Sequence, residues 1–161
     1  MFNIKKIISG GQTGADMAAL DFGLRNGISI GGWCPKGRIN ETGTIPQMYP
    51  LIECISKQYS VRTEKNVIGS DATLIFTNSA NIDNGTKLCI DFCQLHLKEF
   101  FVFDIFDFSA SQIDSVKNWL QYENIVILNI AGNRESTLPG VYYKTLSFLQ
   151  KIFEFQKPFF Q

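Results

Sequence analysis

The chain has 161 residues, 45% apolar and 19% charged, which places it among ordinary globular domains and excludes a disordered chain. Fifteen basic residues balance fifteen acidic ones, so broad electrostatic capture of nucleic acid or of an anionic membrane is not expected. No apolar run reaches the ~20 residues of a spanning helix, the short N-terminal apolar segment is no signal peptide, and a cytoplasmic location with reduced cysteines (Cys34, Cys54, Cys89, Cys93) is the simplest expectation.

The predicted elements alternate. Lys6 to Ser9 reads as a short strand ending at Gly10-Gly11. Ala15 to Asn26 reads as a helix, with Met17, Leu20 and Leu24 on one face and Gly27 as its stop. Ile28 to Ile30 is a second strand. From Gly31 to about Ser70 the pattern dissolves into a proline- and glycine-rich loop, with a short helix expected near Leu51 to Lys57. Loops this long are usually functional when ordered. Ala72 to Thr77 is a third strand, Asn84 to about Lys98 a helix, Phe100 to Phe106 a fourth strand, Ser109 to about Gln121 a helix, and Ile125 to Ile130 a fifth strand. A last helix runs from about Gly140 to Phe153 behind Pro139. The whole chain, 1–161, reads as one domain: a parallel sheet covered by helices on both faces.

In such a sheet the ligand sits beyond the carboxyl ends of the strands, where the glycine turns fall. Ser9-Gly10-Gly11-Gln12-Thr13-Gly14-Ala15-Asp16 joins strand to helix. Its glycines allow close backbone approach and its first helical N–H groups suit a phosphate, although it is neither G-x-G-x-x-G nor a Walker loop. A Gly11→Val chain is therefore expected to lose a phosphate ligand and keep its fold.

The segment ISGGQTGADMAALDFG resembles the N-terminal signature of the molybdenum cofactor carrier family, the circularly permuted YpsA-like branch of the SLOG superfamily, related to LOG and lysine-decarboxylase-like proteins. Gly32-Trp33-Cys34-Pro35-Lys36-Gly37-Arg38, Tyr59 to Val67, Ser70-Asp71-Ala72-Thr73 and Gly85-Thr86 are similar to further segments of that family. Ala131-Gly132-Asn133-Arg134-Glu135-Ser136 resembles its A-G-P-R-E-S segment, with Asn133 in place of proline. The resemblance implies a Rossmann-like three-layer α/β/α sandwich with a mainly parallel sheet. It also implies a ligand cleft with a phosphate on Gly10, Gly11, Gln12, Thr13 and Gly14, and further contacts from Thr63, Gly85, Thr86, Glu135 and Ser136. The implied ligand is molybdenum cofactor or another phosphorylated, nucleotide-like heterocycle.

The cations fit that picture. Lys36, Arg38, Arg62 and Arg134 fall in or beside turn segments, where arginine forks anionic oxygens. Trp33 is placed to stack on a flat ring. Two rival functions remain: hydrolysis of a nucleoside monophosphate at its N-glycosidic bond, as in LOG-type relatives, and nucleotide sensing for a partner protein. The relatives' G-G-x-G-T-x-x-E motif would put its glutamate at Cys89, which is not acidic. Asp16 and Glu64 are the weak acid–base candidates. Cys89, Cys93 and His96 share a helix face, but their spacing matches no ordinary metal pattern, and no metal site is expected. The stripes Val141, Thr145, Phe148, Ile152 and Tyr142, Leu146, Leu149, Phe153, with Phe155, Phe159 and Phe160, predict a homo-oligomer, dimer or tetramer, with the last helix near its contact.

Overall fold

The computed structural model describes residues 2–107 and 109–153. Five parallel strands form the central sheet: β1 (Lys6–Ile8), β2 (Ser29–Gly31), β7 (Ala72–Thr77), β8 (Glu99–Asp104) and β9 (Ile127–Gly132), in the order β2-β1-β9-β7-β8. The intervening short strands β3 (Trp33–Cys34) and β6 (Ile52–Glu53) pair in parallel, and β4 (Ile39–Asn40) and β5 (Gly43–Thr44) form a small antiparallel hairpin. Helices α1 (Ala15–Arg25), α4 (Ala110–Tyr122) and α5 (Val141–Phe153) cover one face, and α2 (Tyr59–Ile68) and α3 (Asn84–Leu95) cover the other. The result is a Rossmann-like α/β/α sandwich.

Strand periodicity builds both cores. Leu74 and Phe76 of β7, with Leu128 and Ile130 of β9, enter the α1/α4/α5 side. Ile75 and Ala131 turn to the α2/α3 side and meet Val67, Cys89 and Cys93. Every residue of β7 is buried, as a central parallel strand requires.

The apolar arc on α5 has an internal use. Val141, Thr145, Leu146, Phe148, Leu149, Ile152 and Phe153 are all buried, because α5 packs against α1, α4 and the sheet at once. Of the two stripes, all but the half-buried Tyr142 are thus covered within the chain. Phe155, Phe159 and Phe160 lie outside the described residues.

Two expectations for the 31–70 region are corrected. Leu51 to Lys57 forms no helix, because its amides serve β3: Ile52 N donates to Gly32 O and Cys54 N to Cys34 O, each at 2.8 Å. Residues 59–68, expected as loop, are helical. Its N-cap, Gln58, makes no side-chain cap, and Asn66 and Val67 alone among its residues are buried, so neither a start signal nor an apolar stripe marks it.

Arg38 organises the rest of that region. Its side chain donates to four carbonyls: Ile45 O at 3.3 Å, Leu51 O at 3.0 Å, Pro46 O at 2.9 Å and Tyr49 O at 2.8 Å. Arg38 is buried, with its own φ at 52°. A buried carbonyl without a donor costs about 1–3 kcal/mol, so one guanidinium satisfies what a loop of this shape cannot satisfy by ladder pairing. Arg38 is therefore a loop-building residue, with Nε, Nη1 and Nη2 all engaged by backbone carbonyls. Lysine cannot replace the fork. Arg38→Lys and Arg38→Met should each lower unfolding free energy by about 3 kcal/mol, read from urea unfolding curves. A loss below about 0.5 kcal/mol, the range of a neutral surface change, would refute this role.

Candidate functional site

Parallel register brings the carboxyl ends of β1, β7 and β9 to one edge, with Phe76 opposite Gly132. A small, partly open cleft lies there. Gln12 and Asp16 reach it from the first turn and α1, and Tyr59, Ser60, Arg62 and Thr63 from the start of α2. Asp83, Gly85 and Thr86 come from the start of α3, with Gly132 at the end of β9 and Arg134 just beyond it. Arg62 and Thr63 thus stand on a helix and not in a turn.

At the floor, Arg62 Nη1 lies 3.0 Å from Asp16 Oδ2, and both side chains are almost fully buried (12% and 3% exposed). A Cβ on Gly10 would lie 1.9 Å from Arg62 Nη1, so glycine is required for the guanidinium to lie on the turn. Burial raises the Asp16 pKa; Arg62 and the Gln12 and Gly10 amides oppose that shift without cancelling it.

Three amides of the glycine turn are engaged within the protein. Gln12 N donates to Asp16 Oδ2 at 3.3 Å, Thr13 N to Gln12 Oε1 at 3.0 Å, and Ala15 N to Asn133 O at 3.2 Å. Gly14, at φ 78°, lets the turn approach the 133–135 backbone, where a Cβ would sit 2.4 Å from Asn133 O. Gly11, at φ 76°, faces Ile45 and Leu51. A valine there strains the backbone, so Gly11→Val is not the fold-neutral change expected from sequence.

Gln12 Nε2, Arg62 Nε and Thr86 Oγ1 are buried and have no hydrogen-bond partner, and all three residues line this cleft. Buried polar atoms are nearly always paired, with protein, water or ligand; a fourth such atom, Thr145 Oγ1 of α5, lies outside the cleft.

Several other expected site residues make contacts within the protein or lie away from this cleft. Trp33 receives Lys65 Nζ 4.2 Å from its ring centroid, and its backbone is bonded at both ends by the Asn66 amide. Lys36 is exposed and Glu64 pairs with His96 at 2.8 Å; neither lines the cleft. The Glu135 carboxylate accepts the amides of Gly140 and Tyr142 and so caps α5. Ser136 bonds Glu41. Asn133, standing where the family pattern has proline, accepts from Thr77 Oγ1 at 2.6 Å and donates to Asp83 Oδ2 at 3.0 Å, tying β7 to the α3 cap. The sequence reading missed Ser60 and Asp83 in the cleft. The Asp83 N-cap, which accepts Thr86 N at 2.8 Å, was the one available signal. Cys89 bonds Cys93, and that bond and burial push its thiol well up, toward the neutral form. His96 is drawn off to Glu64, and among the described residues no three His, Cys, Asp or Glu side chains converge as a metal site.

The family model described as circularly permutated YpsA SLOG matches residues 7–153. The chain belongs to that family. A solved structure from Syntrophus aciditrophicus SB, named "putative molybdenum carrier protein", is 40% identical and superposes with a TM-score of 0.86 over 94% of this chain and 96% of its own. No curated protein matches the chain. No helix among the described residues is long and apolar enough to cross a membrane.

The Asp16 shift fixes a sign. A carboxyl whose folded pKa is raised contributes most below its ordinary value of 3.8 and loses that contribution as pH rises through the raised value. Relative to Asp16→Asn, the parent should therefore lose stability across that window and run parallel above it, in urea unfolding at stepped pH. A parent that gains on the variant as pH rises through the window would contradict the assignment.

Proposed function

We propose that this chain is a binding protein for a phosphorylated, nucleotide-like heterocycle, with molybdenum cofactor as the leading choice. The observation that carries the proposal is the set of three orphaned donors in the cleft. The name of the Syntrophus relative supports the choice of cargo. Arg62 and Arg134 supply the cationic contacts and Thr86 and Gln12 the neutral ones, while the flat Tyr59 ring lies under Arg134 at 5.5 Å. The anionic group then rests on side chains beside the glycine turn and not on the turn's own amides. Molybdenum arrives already held by the cofactor's pterin, so the chain needs no metal ligands of its own.

One observation favours a second reading. Asp16, held toward its neutral form inside the cleft, could protonate a leaving base, making the chain a nucleoside-monophosphate hydrolase. Cys89 counts against it, because a neutral thiol stands where those relatives place their glutamate. Release of free base from AMP or GMP would select that reading.

Thr86→Val separates ligand use from scaffold use. It replaces an unsatisfied buried hydroxyl by a methyl group of the same shape. The empty protein should become more stable by about 1 kcal/mol, while affinity for the cofactor, read by titration calorimetry, should fall about tenfold, or ~1.4 kcal/mol. A variant that is less stable and binds equally well would sink the proposal.

A further inference from the structure

Glu41 sits at the tip of the β4–β5 hairpin, and its carboxylate is gripped from three directions. The Thr13 hydroxyl and the Ser136 hydroxyl donate to it, Ser136 N donates at 3.2 Å, and Arg134 Nη1 stands 4.0 Å away. Burial alone would raise the Glu41 pKa, but the Ser136 and Thr13 bonds outweigh it and hold the carboxyl below its ordinary value.

The donors and the carboxylate differ in how they are held. Thr13 lies in the turn between β1 and α1, and Arg134 and Ser136 follow β9, in a segment pinned by Asn133 and by the Glu135 cap on α5. Glu41 rides on two strands of two residues each; residues 41–44 are exposed, while the Glu41 side chain itself is only 17% exposed against its donors. Two further bonds tie this hairpin to the turn: Asn40 Nδ2 to Gly11 O and Glu41 N to Gln12 Oε1, each 3.0 Å. A hydroxyl pair, an amide and a guanidinium around one point suit a tetrahedral oxyanion as well as a carboxylate. Arg134 and Gln12 also line the cleft, so the two places adjoin.

We propose that Thr13, Ser136 and Arg134 form an oxyanion subsite for a phosphate group, which the chain's own Glu41 fills until the ligand's phosphate displaces it and frees the hairpin. The proposal rests on the cleft reading only for the molecule that carries the phosphate. Its consequence is quantitative. Apparent affinity equals intrinsic affinity reduced by the fraction of molecules in which Glu41 has let go. Removing the carboxylate therefore tightens binding.

The test uses the full chain and inorganic phosphate, titrated by calorimetry or phosphorus NMR. Glu41→Gln and Glu41→Ala should bind phosphate about tenfold more tightly than the parent, and adding Ser136→Ala to Glu41→Ala should remove that gain. In the parent, phosphate should speed amide hydrogen exchange at Glu41, whose N–H loses its Gln12 partner when the hairpin leaves. Folded variants that both bind phosphate no better than the parent would overturn the proposal. So would unchanged exchange at Glu41 in the parent under saturating phosphate, a measurement that needs no variant. The cleft reading fails by a different sign, an unaltered cofactor affinity in Thr86→Val, so the two failures are distinguishable.

Discussion

The buried contact between Asp16 and Arg62 couples three parts of the molecule that share no hydrogen-bonded ladder. Asp16 belongs to the first turn of α1, where a negative charge is favoured by the helix dipole. Arg62 belongs to α2, on the opposite face of the sheet. Between them lies the Gly10 backbone, stripped of any side chain so that the guanidinium can cross it. The pair therefore sets the floor of the cleft and the depth of the glycine turn together. Removing Asp16 would leave the Arg62 guanidinium as a buried charge without its partner, a change of about 3–5 kcal/mol. Arg62 also keeps one donor, Nε, that the scaffold does not use.

A second carboxylate works in a similar way on the far side of the turn. Asp21 of α1 accepts the Tyr49 hydroxyl at 2.6 Å and the Tyr142 hydroxyl at 2.5 Å. Burial, then the bond to Asp21, raise both phenols, Tyr142 to about 12, so both remain donors through the neutral range. This contact fastens α5 and the long loop to α1. With Arg38 holding the carbonyls of residues 45–51, the loop becomes a built wall from which the Glu41 hairpin projects.

The central sheet was legible because its strands read as continuous apolar runs, ATLIFT above all, with glycines after β1 and at the ends of β2 and β9. The cleft's place followed from that alternation. Arg62, Arg134, Gln12 and Thr86 could be named from turn segments and family likeness, but their roles could not. Arg38 reads like any loop arginine until the fold wraps four carbonyls around it. Trp33 reads like a stacking platform until Lys65, on a helix with no capping signal, occupies its face. Glu41 carried no sequence signal, since its partners lie 28 and 95 residues away. Glycines 10, 11 and 14 pointed correctly to close approach; what approaches is the protein's own Arg62, Ile45, Leu51 and Asn133.

The account turns on whether the three orphaned donors meet a ligand. Side-chain NMR of the Gln12 Nε2–H2 and Arg62 Nε–H groups reports this directly, in labelled protein with and without molybdenum cofactor. The account predicts that both signals move and exchange more slowly when the cofactor is bound, as new acceptors arrive. Cofactor binding that leaves both signals unmoved, with changes confined to other surfaces, would contradict it.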